Sequence, residues 1–265
     1  METHQLKRII IIVLALVNLA LLALLGRNEW QQRSAEQETL LQLRTLYASH
    51  GVELAVDRLP AAERAVSAVA VSDAARERRL AEALLGGAVT AQDSGSATLY
   101  SGENGTLRFR RNSFFELSLS RPFLSCDEAA ALLEGLGYPL SDGGGDSLRL
   151  AQTLERTVVA GGCVTLGFTD GLLSAASGYY VCGAQEQKSA SLCAAADALS
   201  AFLQYVQESG LVCGSVQSIA PAWQLSAETL FQSALLPVWL IETDAAFYCV
   251  NAAGSRISPL FEAQS

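Results

Sequence analysis

The stretch LLPVWLIETDAAFYCVNAAG, residues 235–254, decides how this chain is to be read. Side chains alternate along a strand, so Trp239, Ile241 and Thr243 project to one side and Val238, Leu240 and Glu242 to the other. Asp244-Ala245-Ala246 turns the chain. On the return, Phe247, Cys249 and Asn251 alternate with Tyr248 and Val250. Both faces of this hairpin are apolar, so it needs cover on both sides or offers one side to a partner. Asn251-Ala252-Ala253-Gly254 reads as a second turn. The stretch holds no His, Lys or Arg. Its pattern specifies a sheet, not a reaction.

Working upstream, the same kind of signal recurs. ATLYSGENGTLRFRR (97–111) reads as two short strands around a Gly-Glu-Asn-Gly turn, and SFFELSLS (113–120) as a third. Ser125 is placed to cap a helix over CDEAAALLEGLGY. CVTLGFTDGLLSAASGYYV (163–181) is strand, Asp-Gly turn, strand. In SASLCAAADALSAFLQYVQESG, Leu192, Ala195, Leu199, Phe202 and Val206 share a helical face, and Gly210 is the stop. VCGSVQSIAPAWQL (212–225) precedes the closing hairpin as a further strand. Element order thus suggests two cycles of β-hairpin and helix, over 97–138 and 161–210. SDGGGDS (141–147) reads as a flexible connection.

Nearer the start, Leu40, Leu43, Leu46 and Tyr47 fall at helical spacing before Gly51. GVEL and AVSAVAV suit strands. Ser72 or Asp73 is placed to cap a helix to Leu85, with Gly86-Gly87 ending it. Before all of this stands IIIIVLALVNLALLALL, Ile9 to Leu25, with Asn18 its one polar residue. Seventeen helical residues rise about 26 Å at ~1.5 Å each, close to the ~30 Å hydrocarbon core. A cleaved signal peptide is the rival, but the exit ALLALLGRNEW lacks an A-x-A-like site. Lys7 and Arg8 precede the run, which places the N-terminus in the cytoplasm and the body outside. The expected fold class is therefore α+β: one N-terminal transmembrane helix, then antiparallel β-sheets with packed helices in two hairpin–helix cycles. The expected divisions are 1–27 (cytoplasmic tip and anchor), 28–93 (juxtamembrane helix and small α/β unit), 94–157 (first hairpin–helix subdomain) and 158–265 (second, with the closing hairpin).

Composition narrows function. The chain carries a net charge of −9, and beyond residue 27 it has 26 acids against 15 bases. Phosphate backbones repel such a body, so nucleic acid is not an expected partner. Six cysteines at irregular spacing, none in a CxxC, read as buried free thiols before a disulfide framework. The two histidines are His4, in the N-terminal tip, and His50. That leaves no expected Ser-His-Asp, Cys-His or zinc site in the body. Paired carboxylates, for instance Asp170 with Glu186, are the arrangement left for a hydrolase, and Asn104-Gly105-Thr106 matches a glycosylation acceptor while also reading as a hairpin tip. No enzyme activity and no cofactor are expected.

The apolar run with Asn18, the acidic β-rich body and the closing segment resemble the YycI/YycH-type regulatory proteins of Gram-positive bacteria, YycI in particular. In the closing segment the matching residues are Pro237, Trp239, Ile241, Thr243, Tyr248, Val250, Asn251, Ala252 and Gly254. PepSY-like domains end in a similar hairpin. The resemblance implies a single-pass extracytoplasmic protein of the cell membrane. Such a protein restrains a cell-wall-sensing histidine kinase through its body and its membrane helix, alongside a YycH-like co-regulator. Ile9 and Leu25 then bound the anchor, and Asn18 becomes the candidate contact with a partner's membrane helix. Other readings are a PepSY-like inhibitor of a secreted peptidase and an envelope or spore-coat assembly component.

Overall fold

The computed structural model describes residues 35–60, 64–226 and 232–261. It opens on helix α1 (residues 35–49), which buries Leu40, Leu43 and Tyr47 and leaves Leu46 exposed. Gly51 ends it at φ 75°, a conformation that suits glycine. Then follow β1 (Glu53–Leu54), β2 (Arg64–Val71), α2 (Ala74–Leu85), β3 (Thr90–Asp93), β4 (Ala97–Gly102), β5 (Gly105–Arg110), β6 (Phe114–Leu119) and α3 (Cys126–Gly135). After α3 come β7 (Leu140–Gly144), β8 (Ser147–Leu154), β9 (Thr157–Thr169), β10 (Leu172–Tyr179), β11 (Gly183–Ser191) and α4 (Ala195–Ser209). The chain closes with β12 (Ser215–Ser226), β13 (Ala234–Thr243), β14 (Phe247–Asn251) and β15 (Ile257–Pro259).

Local chemistry sets the helix ends. The Asp73 carboxylate accepts from Ala75 N at 2.8 Å and opens α2. Ser125 and Glu128 form a reciprocal capping box on α3, with Glu128 Oε2 accepting from Ser125 N at 2.9 Å. Ser125 Oγ also donates to Glu128 Oε2 at 2.8 Å, and the backbone and side-chain donors of Ser125 together hold the Glu128 carboxyl below its ordinary range. Helix α4 has no side-chain cap at Ala194, so its first turn must be held from elsewhere.

The strands join into one 15-stranded network with the main path β11-β2-β13-β12-β9-β10-β6-β5-β4-β3. Strands β14 and β15 continue from β13, β8 and β7 from β9, and β1 from β12. Two pairings are parallel: β1 with β12 at Glu53↔Ser215, and β12 with β9 at Trp223↔Val159. The second spans only two residue pairs and links two halves of the molecule. One half packs α2 and α3 on the sheet around Leu80, Phe109, Phe115, Leu133 and Leu166. The other packs α1 and α4 on β12–β14 around Tyr47, Phe202, Trp239 and Ile241.

This layout corrects the expected fold class. The sheet is mixed and continuous rather than a set of antiparallel sheets, and there are not two hairpin–helix cycles. Strand β10 pairs with β6 over Ala175↔Ser118 to Tyr179↔Phe114, so the second hairpin enlarges the first unit's sheet. The helix that follows it in sequence, α4, packs instead on the sheet of β12–β14. Sequence order and packing order part because β11 crosses to the far edge and pairs with β2. The expected transmembrane helix, residues 9–25, lies outside the described residues. Among the described residues, no helix is long and apolar enough to cross a membrane. The expected flexible connection at 141–147 is the β7–β8 hairpin, closed at Gly144↔Ser147.

Candidate functional site

Both strands of the closing hairpin, β13 and β14, are paired on both edges. Strand β12 flanks β13 along its length, from Val216↔Thr243 to Ser226↔Ala234. On the opposite edge the neighbour changes: β2 pairs at Ala234 and Leu235, and β14 from Val238 to Glu242. Leu236 and Pro237 fall at the change. Pro237 has no amide hydrogen to offer a ladder, which suits that position.

The residues that carried the family resemblance converge on α4. Trp239 is 1% exposed, and its indole N–H donates to Cys193 O at 3.0 Å. Cys193 N donates to Ala252 O at 2.8 Å. The hairpin therefore holds both main-chain groups of the residue just before the uncapped start of α4. Tyr248 lies 5.2 Å from the Phe202 ring and 6.2 Å from Tyr205, ring centre to ring centre. Ile241 and Val250 are fully buried in the same cluster. Thr243 Oγ accepts from Ala246 N at 2.9 Å and donates to Ala246 O, which shapes the turn. Asn251 Oδ1 accepts from Ser255 N at 2.8 Å and Arg256 N at 3.0 Å, while Gly254 takes φ 71°. Ile9, Asn18 and Leu25 lie outside the described residues.

The opposite face of β13 carries Val238 and Leu240, which pack with Ala222, Cys249 and Leu260. Val238 and Leu240 are buried, while Leu236, further along the same face, is exposed. A groove of about 490 Å³ lies over Leu225, Leu236, Pro237 and Val238, walled by Ala252 and Arg256. A smaller depression of about 190 Å³ adjoins it across Gln224 and Ser258 and is lined by Cys163 and Cys249. Leu236 is 42% exposed in the groove. Sequence reading missed this feature, because it assembles from β12, β13, β14 and the turn to β15. The only local sign was the apolar pattern on both faces of the hairpin.

Burial shifts several interior titratable groups. Burial pushes the Cys249 thiol up to about 12, with Cys163 adding to it, and the Cys182 thiol up to about 11. Burial also raises Cys193 and Cys213. A raised thiol stays protonated and is a poor nucleophile. All six cysteines are free. Burial raises the Glu77 carboxyl against the opposing pull of Arg111. Three strands, β2, β13 and β12, stand between β11 and β9 in the sheet, so Glu186 and Asp170 are not brought together. Asn104 Nδ2 donates to Leu85 O at 2.8 Å, so the side chain of the glycosylation-like triplet is spent inside the fold. Among the described residues, no three His, Cys, Asp or Glu side chains gather as a metal site.

The sequence matches no protein-family profile and no curated protein. Two solved structures are similar to it in part. An uncharacterized protein from Eubacterium rectale is 9% identical, with 78% of this chain and 85% of that one covered and a TM-score of 0.37. The Bacillus megaterium YpeB C-terminal domain is 11% identical, with 73% of this chain and 99% of that one covered and a TM-score of 0.36. At these overlaps neither likeness assigns a function to the chain. The YycI-type resemblance rests on the sequence.

Proposed function

We propose that this chain is a non-catalytic, extracytoplasmic regulator that acts by protein contact, held at the cell membrane through its apolar run 9–25. Its proposed partner is a sensor histidine kinase, with a YycH-like protein as co-regulator. The observation that carries this reading is the closing hairpin. Most of its motif residues dock α4 or shape turns, while Pro237 lines a groove whose described lining is largely apolar rather than a set of reactive groups. Raised thiols and dispersed carboxylates support the absence of catalysis. The test is crosslinking and co-purification of the full-length chain from its own cells, together with kinase phosphorylation measured after deletion. One histidine kinase should be captured, and its phosphorylation should change on deletion. Unchanged phosphorylation of every kinase, with none captured, refutes the reading.

A further inference from the structure

The groove beside Pro237 has a charge pattern at odds with the rest of the molecule. The chain is acidic overall, at −9. Among the described residues, those lining this groove include no Asp or Glu and one cation, Arg256. Arg256 is exposed, and its guanidinium makes no ion pair or hydrogen bond among the described residues. The side chains of Gln224, Ser226 and Ser258 also line the groove and make no hydrogen bond among the described residues. Between these polar groups lie Leu225, Leu236, Pro237, Val238 and Ala252. A volume of about 490 Å³ lies within the range of small-ligand and peptide sites.

The direction in which the groove faces follows from the strands. Glu53 N donates to Gly214 O beyond the end of α1. Arg44 donates to Val56 O, and Asp57, Arg58 and Leu59 meet Glu36, Gln37 and Leu40 around one depression. The segment after α1 therefore runs back toward the start of α1. Strand β12 is parallel to β1, so its last residues, Gln224 to Ser226, point to the same end.

We propose that this groove seats an extended segment of a partner protein, with an apolar side chain against Leu236 and a carboxylate on Arg256. A guanidinium matches a carboxylate with two parallel hydrogen bonds. The amide and hydroxyls of Gln224, Ser226 and Ser258 suit the main-chain groups of an extended peptide, and alternate side chains supply selectivity. The assignment rests on the protein-contact reading above and deepens it by stating the partner's chemistry.

The test uses the full-length chain in detergent and a phage-displayed random octapeptide library. Enriched peptides should place Asp, Glu or a free C-terminus next to an apolar residue. Arg256→Glu should invert that preference toward Lys or Arg and weaken an enriched acidic peptide at least tenfold. Leu236→Asp should abolish enrichment. Both side chains are exposed, so both variants should keep the wild-type melting temperature. No enrichment over background overturns the proposal, as does an enriched consensus that Arg256→Glu leaves unchanged. Binding to phosphatidylglycerol vesicles that Arg256→Glu removes, with no peptide enriched, overturns it in favour of a lipid headgroup. A chain that selects acidic peptides while its deletion leaves every kinase unchanged supports the groove and overturns only the choice of kinase as partner.

Discussion

Replacing Trp239 with alanine removes the largest fully buried side chain of the α4 half and strips Cys193 O of its donor. Truncation of a buried Trp costs about 3–5 kcal/mol, because neighbours relax only partly into the space. About 1 kcal/mol of that is the hydrogen bond. Because the same bond holds the residue before an uncapped helix, the damage should be concentrated in the first turn of α4. Trp239→Phe keeps most of the apolar volume and loses the donor, so it should cost about 1–2 kcal/mol. For a domain of this size, 1 kcal/mol moves the midpoint by about 2–4 °C, so Trp239→Ala should lower Tm by roughly 6–20 °C. Urea and thermal unfolding of the full-length chain in detergent, followed by circular dichroism, measures both. Hydrogen exchange should show Ala198 and Leu199, the first amides of α4 with intrahelical acceptors, losing protection first. A Trp239→Ala loss under 1 kcal/mol, or unchanged exchange at the start of α4, refutes the proposed clamp.

Asn251→Ala should cost about 1–2 kcal/mol by unfolding, because two turn amides lose their acceptor, while Asn251→Asp should be milder because its carboxylate still accepts. Gly178→Ala should cost about 2–3 kcal/mol in the same assay, since its Cβ would meet Cys163 O at 2.4 Å and Val164 Cα at 2.5 Å, both backbone atoms. Ser125→Ala should cost about 1 kcal/mol through loss of the α3 capping box. Stability should fall as pH rises from about 9 toward about 12. Unfolded thiols ionise near 9, whereas burial keeps folded Cys182 protonated to about 11 and Cys249 to about 12. Stability is therefore complete below pH 9, and urea midpoints across pH 8–11 for wild type and the Cys182→Ala/Cys249→Ala double variant should converge at the alkaline end.

Much of this fold was legible as local chemistry. The Asp73 cap, the Ser125 box, the glycine stops after α1, α2 and α4 and the Gly102–Gly105 hairpin all stand where sequence places them. Each depends on residues within a few positions of one another. The two-sided apolarity of 235–254 called for cover on both faces or a face offered to a partner; Trp239 and Ile241 pack on α4 while Val238 and Leu240 pack with Ala222, Cys249 and Leu260. The glycine-rich 141–147 misled because glycine suits a tight hairpin as readily as a loose linker.

What the sequence determined by itself was where strands and helices begin, which face of each is apolar and which reaction classes its residues disfavour. Alternation specifies a strand's face but not its neighbour. The tertiary structure alone decided that β10 joins β6, that β11 crosses to β2, and that two parallel residue pairs between β9 and β12 link the halves. The same holds for the groove. Gln224, Leu236 and Arg256 belong to separate segments, and only the change of β13's neighbour from β2 to β14 brings them round one open space. Contacts between distant segments depend on how whole faces pack, and no local run of residues encodes that.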